Sequence, residues 1–208
     1  MITQTTLDEF LNTLASGAPT PGGGSAAAVI GAMGAGLISM VCNVTLGKKG
    51  LEAAAAEMRA VCSESEKLRL RLTAMVAEDI AAFDGLMNAY RMPKASEADK
   101  AQRSAAIQKS LIGATKTPLD CARACAQIIE ISRRAAQHGY AGVISDAGVG
   151  VLAAQTALRS AALNVRINAP LLEDRAFAAA AVDELEELLE FGGRESEAVF
   201  ALVVGRLG

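Results

Sequence analysis

The sequence predicts an all-α fold, a helical bundle with long antiparallel helices around a central layer of helices built from small residues. Apolar residues recur at helical spacing along most of the chain, and no long segment alternates with the period of two that marks a strand. Hydrophobic residues make up 51% of the sequence but aromatic residues only 3%, so alanine and glycine supply most of the apolar surface. No repeat or low-complexity linker divides the 208 residues, and we expect one domain over residues 1–208.

The first predicted helix is short and begins at a capping box, Thr6-x-x-Glu9, in which each side chain satisfies a free backbone N–H group of the other residue. The segment 17–24, GAPTPGGG, follows as a loop. A second helix is predicted from Ser25 to Leu46, where GKKG ends it. Its 21 residues from Ala26 onward carry no charge.

Four further helices, the third to the sixth along the chain, complete the predicted bundle. Their predicted bounds are 51–90, 96–138, 145–168 and 172–206. Ser96 and Ser145 are the expected N-caps of two of them, because a serine hydroxyl accepts from the free N–H groups of a first turn. Pro118 is expected to kink or split the fourth helix. The segment 138–145, HGYAGVIS, is predicted to be a loop.

Charge and composition exclude several function classes. The net charge of -3 is spread over mixed signs, so the sequence shows no basic field for nucleic acid. The first residues, MITQTTLDEFLNTL, do not place a basic region before an apolar run, and we expect no signal peptide and a cytoplasmic protein.

The uncharged run from Ala26 to Leu46 is long enough to cross a bilayer. Ser39, Asn43 and Thr45 interrupt it, however, and aromatic belts are missing. A second segment, 147–165, is similarly poor in charge. We therefore expect two buried helices of small residues and no membrane.

The cysteines are interpreted as small core residues rather than as ligands or disulfide partners. They are Cys42, Cys62, Cys121 and Cys125, and no two form a CxxC pair. The single histidine, His138, is expected to be solvated at a helix end. The sequence therefore predicts no metal site.

The glycine loop before the second helix is the first candidate functional motif. It lacks the lysine and spacing of a phosphate-binding P-loop. Gly22, Gly23 and Gly24 nevertheless allow the backbone to bend beside a ligand. At Ser25 a helix opens whose free N–H groups favour an anion or a polar ligand edge. An ordinary loop and N-cap is the alternative.

The second candidate is Asp79 in the third helix. At 100° per residue it falls within about 20° of Leu72, in the middle of an apolar stripe. A carboxylate on a core face needs a cationic or hydrogen-bonding partner, or it takes a proton. Both a functional carboxylate and a structural ion pair with Arg159 or Arg166 fit this position.

The third candidate is Asp146 in the segment ISDAGVG, 144–150. It lies in a predicted first turn, where its charge suits the helix dipole. Two glycines follow it, and each costs up to about 1 kcal/mol in a helix relative to alanine, so a helix or a ligand must approach there.

Lys48 and Lys49 follow the end of the second helix, where the dipole also explains cations.

Six segments together resemble the cyclodeaminase/cyclohydrolase family over nearly the whole chain, in order. They are PTPGGGSAAA, MVCNVTLGKK, DIAAFDGLMNAYRMPK, RSAAIQKSL, ISDAGVG and ALRSAALNVRIN. The resemblance implies an all-helical fold, a homodimer or dimer-based assembly, and a folate ligand. One departure lies in the loop before the fifth helix, where Tyr140 follows Gly139 at a position that is often asparagine in relatives.

The resemblance implies a hydrolase of one-carbon metabolism, a methenyltetrahydrofolate cyclohydrolase that opens 5,10-methenyltetrahydrofolate to 10-formyltetrahydrofolate. The alternative is a formiminotetrahydrofolate cyclodeaminase, which releases ammonia. Because the sequence carries no fused formimidoyltransferase domain, the cyclohydrolase is favoured. A non-catalytic helical assembly protein, which would bind no folate, is the second alternative.

The predicted catalytic residues are Lys48 and Asp79, expected to meet near the bridging carbon, with Asp146 in reserve as the acid or base. Lys94, Arg103 or the loop amides would suit the glutamate tail of the folate. No cofactor is expected, because folate is the substrate. The predicted substrate-binding residues are Pro21, Gly22, Gly23, Gly24, Ser25, Asn43, Lys94, Arg103, Gln108, Arg159 and Asn164.

Overall fold

The computed structural model describes residues 4–208, and within that range it contains helices and no β-strand, which confirms the all-α prediction. Residues 1–3, the start of the predicted domain and of the N-terminal segment, lie outside the described residues. The α-helices are α1 (Leu7–Leu14), α2 (Gly23–Leu46), α3 (Ala55–Arg91), α4 (Glu97–His138), α5 (Ile144–Asn168) and α6 (Arg175–Leu207).

The capping box at α1 is confirmed. The Thr6 hydroxyl accepts from the Glu9 N–H at 3.1 Å, and the Glu9 carboxylate accepts from the Thr6 N–H at 2.8 Å. Helix α2 begins two residues earlier than predicted, with Gly22 at the N-cap. The Ser25 side chain therefore does not cap the helix, and its hydroxyl is free to bond elsewhere.

The sequence predicts that Pro118 kinks or splits the fourth helix; α4 runs for 42 residues through Pro118, so the split does not occur. Proline cannot donate to the carbonyl four residues earlier, which here belongs to Ala114. That carbonyl instead accepts from the side-chain amide of Asn168 in α5, at 2.8 Å. The predicted Ser96 cap is confirmed as a capping box with Asp99.

The beginnings of α5 and α6 differ from the prediction. A 3-10 turn, Ala141–Val143, leads directly into α5 at Ile144, so Ser145 lies inside the helix and the predicted cap is wrong. Helix α6 begins at Arg175 because Asp174 is its cap, accepting from the Phe177 N–H at 2.9 Å.

Helices α2 to α5 form an antiparallel bundle, and α6 packs against α4 and α5. The backbones of α2 and α5 approach closely. A Cβ built on Gly34 would lie 2.8 Å from the carbonyl oxygen of Gly150, so only glycine allows this spacing. The predicted layer of small-residue helices is thus the α2–α5 pair, which runs through the main core.

One side of the α2–α5 pair remains uncovered by the other helices. Six large hydrophobic side chains of these two helices are exposed: Met33, Met40, Val149, Leu152, Leu163 and Ile167. By length and composition, α2 and the segment Ala141–Leu171 could each span a membrane, although buried core helices pass the same test. About half of each apolar window is buried inside the bundle, 56% and 44% respectively.

Candidate active site

The glycine loop and Asp79 come together where α3 crosses the first turn of α2. The Ser25 hydroxyl donates to Asp79 Oδ2 at 2.8 Å, and Ser25 is fully buried. Asp79 makes no salt bridge with residues 4–208. The alternative of an ion pair is therefore wrong, because Arg166 pairs with Glu186 at 2.7 Å and Arg159 lies on the α6 side of α5.

Gly24 allows the Asp79 carboxylate to pack against the backbone of α2. A Cβ built on Gly24 would lie 2.6 Å from the carboxyl carbon, closer than real atoms approach. The carboxylate consequently sits at a helix N-terminus, where the partial positive charge of the backbone favours an anion. Gly23, by contrast, is exposed, and a Cβ there would meet no atom within 4 Å.

The environment of Asp79 makes it a candidate acid–base group. Burial raises the pKa of Asp79 above its ordinary value, while hydrogen bonds from the Ser25 hydroxyl and backbone oppose part of that shift. A partly buried carboxyl with a raised pKa exchanges a proton closer to neutral pH than an exposed one. This property is typical of groups that take or give protons during catalysis.

A groove of about 370 Å³ lies between α1, α2 and α3, one helical turn from the Ser25–Asp79 pair, and its lining mixes apolar side chains with polar ones that include Arg69 and Thr73. Val29 and Val76 line it, each one helical turn along from Ser25 and Asp79 and on the same helix face. Its volume falls within the usual range for small-ligand sites, about 300–1,000 Å³. The groove therefore offers a surface of mixed polarity one helical turn from the carboxyl group.

Lys48 lies at the opposite end of α2 from Asp79. The 22 residues from Ser25 to Leu46 rise by about 30 Å at 1.5 Å per residue. Lys48 Nζ instead lies 4.6 Å from the ring centroid of Tyr140. The prediction that Lys48 and Asp79 meet is therefore wrong within one chain, because a continuous helix holds them apart.

Two other predicted residues lie at the Lys48 end. Asp146 is in the first turn of α5, half-buried, and forms no salt bridge with the described part of the chain. Asn43 is exposed on the last turns of α2, where its side-chain oxygen accepts from the Cys62 thiol at 3.5 Å. The predicted site residues thus form one group around Asp79 and another around Lys48.

A third group lies at the tip of the α3–α4 hairpin, away from Asp79. Arg103 donates to the Tyr90 carbonyl at 3.1 Å, and Lys94 is exposed. The Gln108 amide donates to the Leu171 carbonyl at 3.2 Å and accepts from the Glu173 N–H at 2.8 Å. Gln108 therefore fastens the α5–α6 loop, and both of its polar atoms are engaged by backbone.

The remaining predicted residues do not contact Asp79. Arg159 lines a groove of about 660 Å³ between α5 and α6. The Asn164 amide donates to the Ser160 carbonyl of its own helix at 3.1 Å. Pro21 is buried just before Gly22, the N-cap of α2.

The thiols and acidic residues show no metal-binding cluster. Within residues 4–208, no three His, Cys, Asp or Glu side chains lie close enough to hold a metal ion together. Cys42, Cys121 and Cys125 are buried and all four cysteines are free. Burial raises the pKa of Cys42 to about 12, as expected for a thiol that serves as a core residue.

Sequence reasoning missed Thr45 as a site residue and recorded Tyr140 only as a departure. The Thr45 hydroxyl accepts from the Tyr140 N–H at 2.9 Å and donates to the Val41 carbonyl. A buried polar residue in the last turn of an uncharged helix was the available signal, but its partner lies 95 residues away in sequence.

The fold and the site together define an all-α protein with a partly buried carboxyl group, a candidate acid–base group, at a glycine-rich helix start. The model of the formiminotransferase-cyclodeaminase family matches residues 6–187. The chain belongs to that family.

Individual relatives fall into two groups. The chain is 50% identical over 202 residues to the methenyltetrahydrofolate cyclohydrolase of Methylorubrum extorquens, and the match covers 97% of each protein. It is 34% identical to the formimidoyltransferase-cyclodeaminase of Sus scrofa, of which it spans 36%. The crystal structure of formiminotetrahydrofolate cyclodeaminase from Thermotoga maritima superposes with a TM-score of 0.89 at 29% identity, covering 99% of this chain and 98% of the other.

Proposed function

We propose that the protein is a methenyltetrahydrofolate cyclohydrolase, which hydrolyses 5,10-methenyltetrahydrofolate to 10-formyltetrahydrofolate. The observation that carries this proposal is the 50% identity to a cyclohydrolase over nearly the full length of both chains. The Ser25–Asp79 pair supports it, because a partly buried carboxyl group suits acid–base chemistry on a cationic amidinium, and a groove of ligand size lies one helical turn away.

The reaction adds one water to a carbon that bridges two nitrogens as a cationic amidinium. The water oxygen bonds to that carbon, and the bond from the carbon to the ring nitrogen N5 breaks. One water proton goes to a base and is released, and the other ends on the departing nitrogen. The protein must therefore supply a group that stabilises the cation, a base, and a proton donor.

Asp79 fits the first two requirements. As a carboxylate it stabilises the amidinium, and its raised pKa makes it able to accept the water proton. Ser25 fixes one carboxylate oxygen, and the N–H groups of the first turn of α2 face the same place. In this proposal the glycine loop, Pro21 to Gly24, lies against the folate, and no cofactor takes part.

A spectrophotometric assay tests this function directly. Purified protein is mixed with methenyltetrahydrofolate, and the decay of its absorbance is compared with the decay in buffer alone. A rate proportional to protein concentration is expected. Folate binding without any acceleration would contradict the proposal, and no binding at all would favour the non-catalytic assembly protein.

A cyclodeaminase is the second candidate, supported by the structural similarity to the Thermotoga maritima enzyme. In that reaction the second folate nitrogen attacks a formimino carbon and ammonia leaves. The same protein is therefore assayed with formiminotetrahydrofolate, and ammonia is measured. Ammonia release faster than methenyltetrahydrofolate hydrolysis would reverse our order of the two candidates.

We also propose that the protein is a cytoplasmic homodimer that binds neither nucleic acid nor membrane. The uncovered apolar side of α2 and α5 supports a second copy as the covering surface. A two-fold axis across the middle of that side would run the paired helices antiparallel. The Lys48 end of one chain would then lie beside the Asp79 end of its partner, and the two predicted catalytic residues would meet between chains.

A further inference from the structure

Tyr140 places its aromatic ring against the ammonium group of Lys48. The distance from Lys48 Nζ to the ring centroid is 4.6 Å, within the roughly 6 Å at which cation–π attraction acts. Lys48 lies just beyond α2 and Tyr140 just beyond α4, so the contact joins the ends of two helices. Lys49, the next residue, is exposed and has no comparable ring partner among residues 4–208.

Thr45 anchors both members of this contact. Its hydroxyl accepts from the Tyr140 N–H at 2.9 Å, and its carbonyl accepts from the Lys48 N–H at 3.0 Å. Thr45 is itself buried and bonded to the Val41 carbonyl within α2. The backbones of Lys48 and Tyr140 are thus fixed relative to one another by a single residue.

The loop around Tyr140 also holds the ring. A Cβ built on Gly142 would lie 2.5 Å from Tyr140 Cε1 and 3.0 Å from Cζ, so the ring packs where a side chain at 142 would be. On the other side of Tyr140, the Gly139 carbonyl accepts from Arg206 at 2.9 Å. The ring is therefore packed against Gly142, and the backbone on either side of it is held by hydrogen bonds from Tyr140 to Thr45 and from Arg206 to Gly139.

We infer that Tyr140 is a positioning residue for Lys48. The inference rests on the proposed function, in which Lys48 of one chain meets Asp79 of its partner at the reacting carbon. A lysine side chain has four flexible methylene groups, and a chain that must be ordered before each turnover reacts more slowly than one held in place. The ring of Tyr140 holds the ammonium without neutralising its charge, which a carboxylate partner would do.

The geometry is tested first, without reference to activity. Lysine amines are labelled by reductive ¹³C-methylation, and the Lys48 signal is assigned from its loss in Lys48→Met. A ring lying under the amine shifts this signal upfield. The shift is expected in the unaltered protein and in Tyr140→Phe, and it should vanish in Tyr140→Leu. A Lys48 signal indistinguishable from that of Lys49 in the unaltered protein would overturn the inference.

The consequence for turnover is tested by a double-mutant cycle with methenyltetrahydrofolate. Tyr140→Leu should lower kcat about two- to fivefold, the range expected for losing a cation–π contact to an exposed lysine, with a smaller change in KM. Tyr140→Phe keeps an aromatic ring and should therefore keep most of the unaltered kcat. In the Lys48→Met background, Tyr140→Leu should have no further effect, because its influence passes through Lys48.

Two controls separate the possible failures. Lys49→Met removes a neighbouring lysine without a ring partner and should keep kcat. An equal loss from Tyr140→Leu with and without Lys48 would mean a purely structural role and would overturn the inference. If Tyr140→Leu does not fold, Tyr140→Met takes its place in the cycle. An unaltered protein with the upfield Lys48 signal but no hydrolysis would instead contradict the proposed function.

Discussion

The proposed chemistry depends most on one residue, Asp79. It is partly buried, contacts the backbone at Gly24, and receives a hydrogen bond from Ser25 but no cation. Asp79→Asn keeps the shape and removes the charge. We expect kcat to fall by at least about 100-fold, the lower end for a lost general acid–base group. Circular dichroism should show unchanged helix content, and normal turnover would exclude Asp79 from the reaction.

The same substitution should change the pH dependence of stability. Because burial raises the pKa of Asp79 in the folded protein, the folded state loses stability as pH rises from the unfolded pKa through the folded one. The Asp79→Asn variant has no carboxyl group to ionise at this position, so it does not lose this stability as pH rises. The variant should therefore be as stable as the unaltered protein or more so at neutral pH, with the difference shrinking in acid. Urea unfolding of the variant and the unaltered protein, at neutral and at acidic pH, measures this stability difference. A variant less stable than the unaltered protein at neutral pH would contradict the raised pKa.

Gly24 provides a second test at the residue scale. A methyl group there would overlap the Asp79 carboxyl group and push it away from the first turn of α2. Gly24→Ala should therefore lower kcat/KM by about tenfold or more, as small misplacements of reacting groups do. Gly17→Ala, in the same loop but with open space around its Cβ, is the matched control. Equal kinetics in the two variants would contradict the role of Gly24.

Gly23 separates ligand contact from protein packing. Bulk at Gly23 meets no protein atom within 4 Å, so Gly23→Val should leave the fold unchanged. If the loop lines the folate site, the variant should bind folate more weakly while its helix content stays the same. Fluorescence titration with a folate gives the affinity. Unchanged affinity would remove this part of the loop from the site.

Helical phase alone placed Asp79 on the inner face of α3, and the structure agrees. Its partner was beyond the reach of that argument, because the Ser25 contact depends on the register between α2 and α3. Lys48 shows the opposite case. The dipole at the end of α2 explains why a cation stands there, but the length of α2 keeps Lys48 from reaching Asp79 of the same chain.

At the scale of helices, Pro118 and Asn168 form a pair across α4 and α5. The proline leaves the Ala114 carbonyl without its helical donor, and the Asn168 amide supplies one at 2.8 Å. Asn168→Ala should lower the free energy of unfolding by about 1–3 kcal/mol, because a nearly buried acceptor loses its partner. In a Pro118→Ala background the new N–H can reach that carbonyl, so the same change should cost less.

Denaturant unfolding of the two single variants and the double variant measures this coupling. Additive effects would show that the Asn168 bond is independent of the proline. The pair also explains why the predicted split of α4 failed. Sequence reasoning recognised the proline as a helix breaker, but the compensating donor comes from another helix and is visible only in the packed bundle.

The side-chain N-caps show how far the local sequence determines where each helix begins. Thr6 and Ser96 begin their helices as predicted, because each has an acidic residue three positions later to complete a capping box. Ser145 lacks such a partner, and the 3-10 turn before it already continues into α5. Side-chain caps were therefore predictable only where both halves of the motif were present.

At the scale of the whole molecule, the uncovered side of α2 and α5 predicts a dimer. Leu152 lies on that side and is 38% exposed, and a charge there would be buried by a second copy. Leu152→Glu should therefore give a monomer by light scattering at micromolar concentration. Leu70→Glu, on an exposed site of α3, should stay dimeric. A monomeric unaltered protein would contradict the dimer itself.

The dimer also decides whether Lys48 and Asp79 act together. If they meet between chains, mixing Asp79→Asn with Lys48→Met allows heterodimers in which one of two sites is intact. After random exchange of subunits, about a quarter of the unaltered activity should return. No recovery from a fully exchanged mixture would mean that the two residues do not share a site across the interface.

The hydrogen bond from the Asn168 amide to the Ala114 carbonyl also leads to a prediction about how related sequences have evolved. A proline at position 118 is tolerable only while a donor stands opposite it, so the two positions should change together among related chains. Relatives that lack the proline have a complete helix and are free to lose the asparagine. In a broad alignment, proline at 118 without a hydrogen-bond donor at 168 should therefore be rare, and the asparagine should have been acquired no later than the proline.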